Sequence, residues 1–338
     1  MSVLEEFPPI HGETFFSWLH RQSVFNKHPR YPLYMLLEDY EKFSHALAFD
    51  RDFDFSAPFV RNALEQLRMS CSDLGGIFNA SSTWLMPEHF RCAFCWECLQ
   101  EHVVSHGYPG HMSSWCSVSQ THCSRHGSLL RECRRSNQVS LNFGLNAFVS
   151  YCANAELYEA DALHNLFSSK LLSDLCQLVT DIILKKESES GGGGSGLVGY
   201  SSHVYRTLMG IMLRPSGGII NTILKRRRVA PYSLNVWQSL SSAPLCSSIL
   251  DRAIALLLVG MATGDIAGDD REAMLSLLSS SPFLDIRFYD PSTLGASCNA
   301  FSRDAANIVI ELLEGCSSAL NSPSLELFLS GFSYDGRK

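Results

Sequence analysis

With 338 residues, 46% of them hydrophobic and 18% charged, the chain is long enough for two domains that each bury a core, and its composition excludes global disorder. A formal net charge of −7 excludes a nonspecific polyanion binder as a description of the whole protein. The longest apolar run, residues 253–262, is far short of a membrane span and follows Asp251 and Arg252 directly, while the acidic start lacks the basic region of a secretory signal, so a cytoplasmic protein without a membrane segment is expected.

Residues 14–70 predict three helices. Phe15, Trp18 and Leu19 share one helical face; Pro32 opens a second helix carrying Met35, Leu36, Phe43 and Leu47; Ser56 and Pro58 open a third with Val60, Ala63, Leu64 and Leu67. Three short helices are compatible with a helix-turn-helix unit. Nine acidic residues against five basic ones in the first sixty favour a protein-docking surface over a DNA-reading one. The aromatic stripe of Phe15, Phe16 and Trp18 is expected in the core.

Next comes the segment with the most specific chemistry. Cys95 and Cys98 form one Cys-x-x-Cys turn, and Cys123 and His126 form a Cys-x-x-His turn. Three thiolates and an imidazole make the ligand set that tetrahedral zinc prefers, and four protein ligands leave no position for water, so the expected site is structural. Closing this loop with zinc is worth on the order of 10 kcal/mol of apparent folding free energy. Cys92, three residues before Cys95, competes with Cys98 for the role, and Cys116, His102, His106, His111 and His122 are further ligand candidates. Between the knuckles, Tyr108, Pro109 and Gly110 interrupt the chain, which predicts turns, short strands and a brief helix near residues 101–105. Cysteines clustered at metal spacing fit a reducing compartment better than a disulfide framework.

Residues 155–186 predict a long helix with an apolar stripe of Leu171, Leu175, Leu178, Val179, Ile182 and Ile183, and with Lys185 and Lys186 at its negative end. Residues 187–196 read as a flexible linker and a domain boundary. Val204, Leu208, Ile211 and Met212 then pattern a helix that stops at Arg214 and Pro215. A second helix with Ile219, Ile220, Ile223 and Leu224 ends in Lys225, Arg226, Arg227 and Arg228. Helix, glycine turn and basic-ended helix resemble a helix-turn-helix, and no acidic residue falls between positions 190 and 250. Two readings stand open for the four cations: contact with nucleic-acid phosphate, or solvated neutralisation of a helix end. Helices are also predicted at 247–262, at 271–278, at 303–313 after Ser302, and at 323–329 after Ser322. The expected fold class is mainly α. It comprises a helical N-terminal unit (1–80), a zinc module (81–136), a helical segment (137–188), a linker (189–197) and a helical C-terminal domain (198–338).

Catalytic motifs are missing. Glu101 precedes His102 instead of lying between two metal-spaced histidines, no deaminase pattern is present, and the glycines at 191–194 are followed by no phosphate-reaching lysine. A non-enzyme is therefore expected.

Arg91, Cys95, Cys98 and Leu99, then Trp115 eight residues ahead of Cys123, then His126, Gly127, Leu129 and Leu130 closely resemble the zinc module of TniQ proteins, the transposition-targeting family that includes TnsD. The run Gly12, Glu13, Thr14, Phe15, Phe16, Ser17, Trp18, Leu19, His20 and Arg21 resembles the segment with which such proteins begin. The resemblance covers roughly the first 130 residues. It departs from the family after Cys133, where Arg134, Arg135 and Ser136 replace the second Cys-x-x-Cys that members often carry. The resemblance implies a non-catalytic, homodimeric adaptor between a target-recognition element and a TnsC-type AAA+ ATPase that recruits the transposase. In the family, recognition is by the protein's own DNA-binding domains or by an RNA-guided Cascade complex, and the acidic balance of this chain favours Cascade. The alternative from the residues themselves is a zinc-containing, sequence-specific DNA-binding protein, either a TnsD-like target selector or a transcription regulator.

Overall fold

A computed structural model of the chain describes residues 8–25, 50, 52–67, 69–70, 77–78, 82, 84–133, 143–190, 197–215, 218–226, 235–298 and 303–333. The expected mainly helical class is what these residues form, with one two-stranded antiparallel sheet. The chain divides into two compact units, Met1–Ser117 with Leu130–Ala160, and Val118–Leu129 with Asp161–Lys338.

In the first unit, α1 (Phe15–Phe25) and α2 (Pro58–Leu67) form because their apolar residues recur at helical spacing. Phe15, Trp18 and Leu19 of α1 are buried with Val60, Ala63, Leu64 and Leu67 of α2 and with Phe78, so the aromatic stripe is core, as expected. The ring of Phe78 stands edge-on to Phe15 at 5.5 Å. Thr14 caps α1, its hydroxyl accepting from the Ser17 amide at 3.3 Å. The helix predicted from Pro32 lies outside the described residues. Beyond α2, β1 (Ala93–Phe94) leads into α3 (Trp96–His106), and β2 (Arg131–Glu132) returns to pair with β1. The brief helix expected at 101–105 is thus a longer one, closed by Gly107 in the left-handed region at φ 70°. Then α4 (Phe143–Ala153) and α5 (Ala155–Glu159) complete the unit.

The second unit contains α6 (Ala162–Phe167), α7 (Lys170–Ser190), α8 (Leu197–Leu213), α9 (Ile219–Ile223), α10 (Val236–Cys246), α11 (Ile249–Thr263), α12 (Gly268–Ser279), α13 (Pro291–Cys298), α14 (Arg303–Leu320) and α15 (Pro323–Ser333). The helix predicted over 155–186 is three helices, because Asp161 caps a new start, accepting from the amides of Leu163 and His164. The linker reading of 187–196 also needs correction at its first four residues. They continue α7, and the buried Glu187 carboxylate takes a 2.8 Å bond from Arg206 of α8. Residues 191–196 lie outside the described ones. The units do not follow the five segments expected from sequence, since α7 and α8 pack together within one unit.

At the centre of this unit, α11 starts at Ser248, whose hydroxyl accepts from the Asp251 amide at 3.2 Å, and stops at Gly264, φ 85°. Among its neighbours are α7, α8, α13 and α15. Two helices, α13 and α15, meet through glycine: a methyl placed on Gly331 would lie 1.9 Å from the Ser292 carbonyl oxygen, and one on Gly295 2.1 Å from that of Phe328. Replacing Gly331 by alanine forces the two backbones apart and is expected to cost about 3 kcal/mol, read as a lower urea midpoint. An unchanged midpoint would mean the helices do not meet this closely. Among the described residues no single helix is long and apolar enough to cross a membrane.

Candidate metal centre

Each pair of ligand candidates is set by its own backbone turn. Cys95 ends β1 in extended conformation and is the N-cap of α3, so its carbonyl accepts from the Leu99 amide at 3.1 Å while Cys98 sits in the first turn. The partial positive charge of a helix start favours thiolates there. The second pair rides on a tight loop. His122 and Leu129 bridge across its base, the Cys123 amide donates to Ser128, and the Gly127 amide donates to the Cys123 carbonyl at 2.8 Å. Gly127 has φ +67°, a conformation that glycine adopts without strain.

One ligand atom from each of Cys95, Cys98, Cys123 and His126 lies within 4.8 Å of the others. The three cysteines are buried and His126 is partly exposed. The donor chemistry can be tested against geometry, because a tetrahedral site with Zn–S of about 2.3 Å and Zn–N of about 2.05 Å has sulfur–nitrogen edges of about 3.6 Å. Cys123 Sγ and His126 Nδ1 are 3.5 Å apart. The four residues therefore fit a metal ion of this kind. The Cys95 thiol donates to Glu97 at 3.1 Å; a bound metal would take this sulfur as the thiolate, so metal binding would release its proton.

Other candidates hold other positions. His111 Nε2 meets the Ala93 carbonyl at 3.3 Å, His102 Nδ1 faces the Gly110 backbone, and the His106 ring packs against His102. The Cys116 thiol points to the Met112 carbonyl. Burial pushes the His122 imidazole down to about 4, and its two nitrogens meet the Phe167 carbonyl and the Thr121 hydroxyl at 2.8 and 3.0 Å. Cys92 stands outside the four-residue cluster.

Several motif residues are scaffolding that sequence could not assign. Glu13, 1% exposed, pairs with Arg21 at 2.8 Å and also accepts from the Ile10 amide and the Ser17 hydroxyl. Arg91 is clamped between Asp50 and Asp52, donates to the Met86 carbonyl at 2.9 Å, and lies over the Phe53 ring. Nothing in the spacing of these residues marks them as partners. Residues 12–21 and the inter-knuckle chain are also knit together, the Thr14 amide donating to His111 and the Ser113 amide to Gly12.

Of the basic run, Arg227 and Arg228 lie outside the described residues. Lys225, exposed and at φ 52°, donates its ammonium to the Pro282 carbonyl at 2.7 Å. Arg226 donates to Asp251 at 2.8 Å. Both described cations thus already serve protein acceptors. Fold and cluster together define a mainly helical protein with a Cys3His set able to hold a metal ion. No family model, curated protein or solved structure matches the chain.

Proposed function

We propose that the metal is zinc, held by Cys95, Cys98, Cys123 and His126 in a closed structural site, and that the protein is a TniQ-like, non-catalytic targeting adaptor in DNA transposition. The observation that carries this reading is the joining of the two resembling motifs. Residues 12–21 hydrogen-bond to residues 111–113, with Glu13 bridged to Met112, so the first motif and the stretch between the two ligand pairs, about a hundred positions apart, lie in one unit. Four protein ligands complete a tetrahedral shell and leave no place for a reacting water. The adaptor, as a homodimer, links an RNA-guided Cascade complex to a TnsC-type AAA+ ATPase. Capture of Lys225 and Arg226 by protein acceptors favours delegated target recognition over direct reading of DNA by the basic run.

The test uses the full zinc-loaded chain. It is expected to elute as a dimer, to co-elute with a Cascade complex, and separately to retain a TnsC-type ATPase. Alanine at Lys225, Arg226, Arg227 and Arg228 together is expected to lower thermal stability and to leave the salt dependence of assembly unchanged. Sequence-specific capture of a duplex that weakens in this quadruple variant, with a flatter salt slope and no ATPase retention, would replace the adaptor by the DNA-binding regulator.

A further inference from the structure

The register of the small sheet reaches one residue beyond its paired strands. Ala93 faces Glu132 and Phe94 faces Arg131, so one step outward sets Cys92 opposite Cys133, and the Cys133 amide donates to the Cys92 carbonyl at 2.9 Å. One of the two bonds of such a pair is made, the Cys92 amide turning instead to the Phe90 carbonyl; facing residues in an antiparallel pair carry both side chains on one face with Cα atoms about 4.5–5.5 Å apart. That separation lies inside the range of roughly 4.4–6.8 Å that a disulfide spans. Both thiols are partly accessible, and neither belongs to the four-residue metal cluster.

We propose that Cys92 and Cys133 are a redox modification site, closing as a cross-strand disulfide under peroxide and reopening under thiol reductant while the metal ligands stay in place. The Cys92 thiolate attacks one oxygen of hydrogen peroxide; the O–O bond breaks, giving a Cys92 sulfenic acid and, after protonation, one water. The Cys133 thiolate then attacks the sulfenic sulfur. The S–O bond breaks, the S–S bond forms, and the hydroxide leaves as a second water. Two electrons pass from the two sulfurs to the peroxide. Burial pushes the Cys133 thiol up, against an opposing bond from Ser150, which slows its own reaction with peroxide and suits it to the second step. The bond closes a loop that contains all four metal ligands. Its formation is expected to slow chelator extraction of the metal and to raise the melting temperature by several degrees.

This inference is independent of the adaptor reading and is tested on the full zinc-loaded chain. After hydrogen peroxide and alkylation, non-reducing peptide mapping is expected to show Cys92 linked to Cys133, zinc content unchanged, and reversal by dithiothreitol. Cys92→Ser and Cys133→Ser should each abolish the link and each retain zinc. The exposed Cys152 and Cys246 report how far oxidation has gone. The proposal is overturned if either thiol links to a different cysteine. It is equally overturned if both remain alkylatable when Cys152 is fully oxidised, or if reduced Cys92→Ser has lost its zinc.

Discussion

Replacing Cys98 by serine is expected to take zinc content from about one per chain to a small fraction of that, and to collapse soluble yield. A serine hydroxyl does not ionise at neutral pH and is a poor replacement for a thiolate, so three ligands must hold an ion that four held before. Structural zinc contributes on the order of 10 kcal/mol of apparent folding free energy. The two ligand pairs sit on separate local structures, Cys98 in the first turn of α3 and Cys123 in a tight loop bridged between His122 and Leu129. Metal analysis and chromatography of the variant read both outcomes. Undiminished zinc would sink this ligand set and point to Cys92 with Cys95.

Arg91→Ala is expected to be the most damaging change away from the metal. The guanidinium is 4% exposed, and so nearly is Asp52, at 5%. Removing one partner of a buried ion pair leaves an uncompensated carboxylate and costs about 3–5 kcal/mol, besides stranding the Met86 carbonyl and the face of Phe53. Urea unfolding measures the loss, and a cost below about 1 kcal/mol, the level of an exposed pair, would show the clamp to be unimportant. The other carboxylate on Arg91, that of Asp50, sets a pH dependence. Burial alone would raise the Asp50 carboxyl, but the Arg91 guanidinium and the backbone amides of Asp52 and Phe53 together hold it below its ordinary value of 3.8. A carboxyl lowered in the folded state stabilises fully above its unfolded value, and that stability is lost as pH falls through the folded one. The native chain should therefore lose stability on acidification below about pH 4, and Arg91→Ala should lack this part of the loss.

The fold was legible where local pattern and tertiary fate coincide. The stripe of Phe15, Trp18 and Leu19 has one buried face and was read as such, and Ser322 caps α15 through the Leu325 amide as its position before Pro323 predicts. The four clustered residues were legible because Cys-x-x-Cys and Cys-x-x-His turns carry the spacing that a metal ion requires. By contrast α10 has Pro244 inside it and three serines, so no clean period announces it, although Asn235 caps its start at 2.8 Å. The end of α7 was masked by composition, since a Ser and Glu run beside glycines reads as linker until Arg206 is seen to hold Glu187. Long-range pairs leave no trace in a single sequence. Arg91 and Asp52 are 39 positions apart, and the facing of Cys92 and Cys133 follows only from the register of two short strands.

The burial of α11 on every side bears on how the protein is made. All of its residues but Leu250 are buried, and α13 and α15, which follow it in the chain, supply part of that cover. During synthesis from the N-terminus, α11 leaves the ribosome with α7 and α8 already available on one side and nothing yet on the other. Its most apolar surface must wait, sheltered by a chaperone or held half-docked, until residues 323–333 emerge. A chain cut before residue 323 is expected to leave that face of α11 uncovered and to aggregate, read as a loss of soluble yield.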